Sequence, residues 1–163
     1  MLRPAIRTDL PRLEELARAP EAAGTLSTTA ADSLAEALTD DAAGELLVIE
    51  LDGAFAGGVR WVRINRRSRI ADVQTLMVDP AFRGRGVATD AVRELCSRLI
   101  RERGLHRVEA EVYGFNTAAQ AVFERAGFTL EGRRRKAYDR NGEWQDGVRY
   151  GLLADELFDR RPG

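Results

Sequence analysis

Apolar positions in this chain change period several times, and each change marks an element. The opening Pro4-Ala5-Ile6-Arg7 reads as a short strand. Leu10, Leu13, Leu16 and Ala17 then fall on one helical face, with Thr8 or Asp9 as cap and Pro11 in the first turn. A second helix is predicted from Ala31 to Leu38. Leu46 to Leu51 is nearly continuous apolar sequence, as in a buried strand. Asp52-Gly53 is a hairpin signal, and Phe55 to Ile64 returns as the next strand. Asn65 to Ser68 turns the chain again, and Arg69 to Val78 completes a three-stranded meander.

Helical spacing resumes with Val92, Leu95, Cys96, Leu99 and Ile100, and Gly104 stops it. Arg107 to Tyr113 alternates as a strand. Asn116 suits the N-cap of a helix running to about Ala126, with Gly127 as its C-cap. Phe128 to Tyr138 and Asp146 to Leu153 form a last hairpin around Asn141-Gly142. The strand-helix-strand unit in the middle requires one parallel pair through a right-handed crossover. The expected fold is therefore α/β (α+β): a mostly antiparallel mixed sheet with one central parallel pair and helices on both faces. Ala19 to Gly24 is too short to be a domain linker, so residues 1–163 read as one domain, with Arg160 to Gly163 a frayed tail.

Composition narrows the class. Hydrophobic residues at 44% and charged residues at 31% suit a globular domain, and no apolar run nears the ~20 residues of a membrane span. The N-terminus lacks an apolar stretch of signal-peptide length, so the cytoplasm is the expected compartment. A net charge of -1 argues neither for nor against nucleic acid, and neither nucleic acid nor membrane is an expected partner. Cys96 is the only cysteine, which removes an internal disulfide and a cysteine-rich metal site; its place on an apolar stripe reads as core. No metal is expected. The only histidine, His106, begins a strand and reads as a surface residue.

The chemistry lies between Val78 and Ala88. A glycine-rich turn, Arg83-Gly84-Arg85-Gly86-Val87, joins a strand to a helix, so several backbone N–H groups and a helix dipole converge on one spot. That is an anion site in outline, and equally the outline of a plain tight connection. An ATP-binding loop would need Gly-Lys-Ser/Thr, whereas Val87-Ala88 follows Gly86. A dinucleotide fingerprint would need a third Gly or Ala where Thr89 stands; Glu109 would supply its acidic residue, but three antiparallel strands precede the unit.

The segment Arg83-Gly84-Arg85-Gly86-Val87-Ala88 resembles the Gln/Arg-x-x-Gly-x-Gly/Ala signature of the GNAT N-acetyltransferases. Leu76 to Pro80 resembles that family's strand leading into the loop, and Arg3 to Leu10 its usual start. Asn116-Thr117-Ala118-Ala119 with Phe123 to Phe128 resembles its second signature. The similarity in element order runs from about Arg3 to Leu157. The end of the chain is similar to the branches acting on ribosomal-protein N-termini and spermidine, and to phosphinothricin-type enzymes.

The resemblance implies a three-layer fold and acetyl-CoA as cosubstrate. It implies that the amides of Arg85, Gly86, Val87, Ala88 and Thr89 receive the pyrophosphate, with Arg83 and Gly84 shaping the turn. The pantetheine arm would run along Met77 and Val78, whose backbone could polarise the thioester carbonyl. Asn116 would bond the arm, and Ala119 and Phe123 would line its wall. A base must free the attacking amine of its proton. Asp72, eleven residues before Arg83, stands where one branch of the family places a glutamate base; a salt-bridged strand carboxylate is the other reading. The family's usual proton donor is a tyrosine at the position of Phe123, so that role is unassigned. Tyr113, Tyr138 and Tyr150 are not placed by sequence. Arg133 to Lys136 could guide phosphates or be a solvated hairpin face, and Trp61 and Trp144 could frame a pocket or pack. Transfer to a primary amine, on a small molecule or a protein N-terminus, is the expected activity. A catalytically weak acyl-CoA-binding or regulatory module is the alternative. A homodimer is a further expectation of the resemblance.

Overall fold

A computed structural model describes residues 1–19, 34–38 and 43–159. Among these residues seven strands form one sheet, in the order β1-β2-β3-β4-β5-β7-β6. They are β1 (Leu2–Pro4), β2 (Gly44–Leu51), β3 (Ala54–Asn65), β4 (Ile70–Val78), β5 (Arg107–Tyr113), β6 (Thr129–Arg140) and β7 (Glu143–Leu153). The helices are α1 (Leu10–Arg18), α2 (Val87–Ser97), α3 (Thr117–Ala126) and α4 (Ala154–Asp159). Every paired neighbour is antiparallel except β4 and β5, joined through α2. The expected mixed sheet with one parallel pair is what forms.

Both tight hairpins follow from their turn residues. Asp52 and Gly53 have φ of 51° and 78°, and Asn141 and Gly142 have 54° and 83°. Two successive positive φ values match the right-handed twist of the flanking strands. The last hairpin is longer than expected, because β6 reaches Arg140 and β7 starts at Glu143. Bulges near Gly132 and Lys136 let β6 continue through its basic run.

Several boundaries differ from the sequence pattern. Strand β1 covers Leu2–Pro4 instead of Pro4 to Arg7, since Leu2 is the inward apolar residue and Ile6 is exposed. Asp9 precedes α1 without capping it; its carboxylate accepts from the Ile6 amide and from both terminal nitrogens of Arg3. The helix after the glycine loop runs past Ser97 as a π-turn, Arg98–Glu102, which keeps Leu99 and Ile100 buried before Gly104 turns at φ 66°. Helix α4 is not apparent in the pattern of Ala154 to Asp159; Glu156 caps it by accepting from the Leu153 amide, and Leu157 packs on the core. Of the predicted second helix, residues 31–33 lie outside the described residues, and Glu36–Leu38 forms a 3-10 turn. Residues 20–24 of the predicted loop and the tail 160–163 also lie outside them.

The core lies on both faces of the sheet. On one face α2 and α3 cover Val59, Trp61, Ala71, Val73, Val108 and Val112. Cys96 is 1% exposed there, and burial pushes its thiol pKa up, as a packing residue requires. On the other face α1 sets Leu10, Leu13 and Leu16 against Leu46, Val48 and Met77. Gly58 permits this approach, because a Cβ there would overlap the Leu13 side chain. Helix α1 thus packs over β2 to β4. Among the described residues no helix caps the same face over β5 and β7, where Glu111 pairs with Arg149 and Glu109 lies two residues before Glu111. No described helix is long and apolar enough to cross a membrane.

Candidate functional site

Strands β4 and β5 pair only from Ile70↔Arg107 to Val73↔Ala110. Opposite β3, Arg60 pairs with Thr75 and Trp61 with Val73, so Gln74 is an inserted residue. A bulge of this kind bends its strand. Beyond it Thr75 to Val78 remain paired to β3, and Glu111 to Tyr113 remain paired to β7, but the two central strands separate. The sheet therefore opens in its middle, with the edge of β4 at Met77 and Val78 on one side. Sequence places these two residues correctly on the strand before the loop but carries no sign of the opening.

The loop after β4 is held from below. The Asp79 side chain accepts from the Ala81 amide, and Arg83 Nε donates to the Val78 carbonyl at 3.1 Å. Gly84 and Gly86 have φ of 75° and 77°, the left-handed region that glycine enters freely. A Cβ at Gly84 would meet nothing within 4 Å, and at Gly86 only Asp90 Oδ2 at 3.9 Å. The loop face is thus an open cradle. The helical ladder starts with the Asp90 amide bonding the Gly86 carbonyl, so the preceding amides have no intrahelical acceptor. Together with the dipole of the 11-residue α2 they form an anion site.

A groove of about 490 Å³ lies between this loop and α3. Val78, Arg83, Gly84 and Gly86 line one wall, with Val87, Ala88 and Thr89 of the first helical turn. Arg85, expected here, does not line the groove itself; its guanidinium lies 5.7 Å from the ring centre of Phe82, which does. The other wall is Ala118, Ala121, Val122 and Arg125. The residues expected there, Ala119 and Phe123, instead face the core at 6% and 0% exposure, a different side of the same helix. Ala118, Ala121, Val122 and Arg125 recur at helical spacing, so the periodicity of the signature could have found them. Asn116 caps α3, its Oδ1 accepting from the Ala119 amide at 3.0 Å. Losing this cap in Asn116→Ala is expected to cost about 1 kcal/mol, a fall of about 2–4 °C in melting temperature by calorimetry.

A second cavity, about 200 Å³, opens on the face that α1 leaves uncovered. Asp72, Gln74, Glu109, Glu111, Tyr138 and Arg149 line it. Asp72 and Glu109 are opposite each other across the parallel pair. Burial pushes the Asp72 carboxyl up to about 7, helped by the charges of Glu109 and Glu111 and opposed by Gln74 and Arg149. Glu109 is fixed by Arg107 at 2.7 Å, and Arg107 in turn pairs with Glu131. Glu111 accepts the Tyr138 hydroxyl at 2.7 Å and pairs with Arg134 at 3.2 Å. Sequence reading misses Glu109 and Glu111 as site residues. The polar half of the Arg107 to Tyr113 alternation, beside the strand that carries Asp72, is their signal.

The remaining candidates fall elsewhere. Phe123 is packed between Phe128 and Tyr150, with ring centres 5.1 and 6.2 Å away. The Tyr150 hydroxyl donates to Glu124, and the Tyr113 ring is stacked on Phe115. Trp61 is fully buried, and Trp144 is exposed on the β6–β7 hairpin. His106 is exposed. Arg133 pairs with Asp146, Lys136 occupies a bulge at φ 48°, and Arg134 alone of that run reaches the second cavity's carboxylates.

A model of the acetyltransferase (GNAT) family matches residues 10–128. A probable N-acetyltransferase of Bacillus subtilis strain 168 is 42% identical over 95 residues, covering 58% of this chain and 52% of that protein. An L-amino acid N-acetyltransferase of Escherichia coli K12 is 33% identical over 113 residues, 68% of this chain and 69% of that protein. A mutant spermidine N-acetyltransferase of Vibrio cholerae superposes with a TM-score of 0.83 at 25% identity, covering 98% of each chain. The chain spans about half the length of several of the curated relatives it matches.

Proposed function

The chain belongs to the acetyltransferase (GNAT) family, and from that premise we propose that it transfers an acetyl group from acetyl-CoA to a primary amine. One observation carries this reading: the β4–β5 opening has a phosphate-type cradle and groove at one end and a carboxylate-lined cavity on the opposite face. The loop amides and α2 would hold the pyrophosphate, with Arg83, Arg85 and Arg125 supplying positive charge around it. The edge of β4 at Met77 and Val78 would hold the pantetheine arm by added-strand pairing. The coenzyme brings the acetyl group as a thioester, with the carbonyl oxygen within reach of a β4 amide.

Asp72 is the base in this reading. It takes the ammonium proton, directly or through one water. The freed nitrogen then bonds to the acetyl carbon, the carbon–sulfur bond breaks, the sulfur leaves with the electron pair, and the nitrogen gives its second proton to solvent. The thiolate takes a proton from solvent, since Phe123 has none to give and a thiol pKa of about 8.5 makes thiolate a tolerable leaving group. The same phenylalanine supports the second reading, a module that binds acyl-CoA without turnover.

The two readings separate in one pair of measurements. Coenzyme A at 100 times its dissociation constant is expected to stabilise the fold by about 2.7 kcal/mol, read as a thermal shift, whereas NAD leaves it unchanged. Free-thiol release across an amine panel then reports transfer. Stabilisation with no thiol release for any amine would establish the module; a shift with NAD alone would end both readings.

A further inference from the structure

The cavity that holds Asp72 carries an under-used guanidinium. Arg149 stands on β7 opposite Glu111, and its side chain is 49% exposed. Among the described residues it makes one bond, a 3.4 Å contact from a terminal nitrogen to Glu109 Oε2. The neighbouring Arg107, by contrast, commits Nε to Glu109 and both terminal nitrogens to Glu131. A guanidinium has five N–H donors in a planar fork. Most of those on Arg149 are therefore presented to the cavity and to solvent. Arg134, also half exposed, bonds Glu111 and the Tyr138 hydroxyl at the same end.

Three carboxylates, Asp72, Glu109 and Glu111, share the cavity with the Arg149 guanidinium. Asp72 stands at its β4 side and suits an amine. Two strands away, about 10 Å across the sheet, Arg149 suits the opposite charge. A forked guanidinium recognises a carboxylate or phosphate through paired N–H bonds.

We propose that the acceptor is an amine that also carries an anionic group, carboxylate or phosphate, and that Arg149 binds that group. This deepens the acetyltransferase reading and rests on it. Arg149 then acts as a specificity residue: it selects among amines without entering the proton transfer.

The experiment is free-thiol release from acetyl-CoA with matched acceptors. L-phenylalanine is compared with phenethylamine, β-alanine with ethylamine and phosphoethanolamine with ethanolamine, with spermidine as polycation. In at least one pair the anion-bearing member is expected to show kcat/KM at least about tenfold above its partner and above spermidine. Whether a carboxylate or the phosphate pair shows it identifies the anion. Arg149→Gln is expected to bring that ratio to near unity, and Arg149→Lys to keep some of it. The ratio cancels any change in Asp72, which both acceptors feel alike, and the coenzyme A thermal shift reports that each variant is folded. Preference for spermidine or for the partner lacking the anion overturns the proposal, as does an unchanged ratio in Arg149→Gln. Coenzyme binding without thiol release for any amine would instead sink the transferase reading, and this one with it.

Discussion

Gly86→Val is expected to weaken coenzyme A binding about 100-fold or more while the domain stays folded. Gly86 holds φ at 77° at the mouth of α2, lines the groove, and leaves open space where a Cβ would stand, 3.9 Å from Asp90 Oδ2. A valine there has two consequences. Its branched side chain occupies the space a phosphate must enter to reach the loop amides, and its preference for negative φ pulls those amides out of line. Charge-assisted hydrogen bonds contribute about 1.5–3 kcal/mol each, so losing two costs about 3–6 kcal/mol, which is 100-fold or more in affinity. The cost to folding is smaller. A left-handed angle for an L-residue costs about 1–2 kcal/mol, or about 2–8 °C for a chain of this size. No packed atom blocks the Cβ, so the core is untouched. Calorimetric titration with coenzyme A, beside a melting curve, checks both halves. Wild-type affinity in the variant would remove the loop from the binding site.

The same loop marks how far a sequence of this kind can be read. Strand and helix positions follow from local period and turn chemistry, because Asp52-Gly53, Asn141-Gly142 and Gly127 each demand a backbone conformation available to few residues. Asn116 is legible as a cap for the same reason, and its side chain does cap α3. Properties that depend on two distant segments are not legible. The opening between β4 and β5 comes from one inserted residue, Gln74, whose effect appears only against β3. A motif alone assigns the wall of the groove to Ala119 and Phe123, but the rotation of α3 is set by packing of Phe123 on Phe128 and Tyr150. The acidic cavity joins β4, β5, β6 and β7, whose order in the sheet differs from their order in the chain.

Asp72 joins these two levels, and Asp72→Asn is expected to lower turnover about 10²- to 10³-fold with coenzyme affinity unchanged. The pH profile makes the test specific. Burial, then the charge of Glu109, raises the carboxyl to about 7. A base works only when deprotonated, so kcat/KM should rise with pH through an inflection near 7. The variant should lose that inflection and keep only the limb set by the acceptor amine. Wild-type turnover in Asp72→Asn, or the inflection surviving in it, would dismiss Asp72 as base. Stability should move in the opposite sense. The folded pKa of about 7 exceeds the ordinary 3.8, so the folded state binds more protons than the unfolded chain between those values. Stability from this group therefore falls as pH rises from about 4 to 7, and the cost is complete above 7. A shift of this size corresponds to about 4 kcal/mol at most, and asparagine escapes it. The variant should melt higher than wild type at pH 8, with the difference closing below pH 4. A carboxylate kept where it weakens the fold, and whose removal both slows transfer and raises the melting point, is one retained for its chemistry; if Asp72→Asn melts lower at pH 8, its role is to hold the strands together through Gln74 and Arg149.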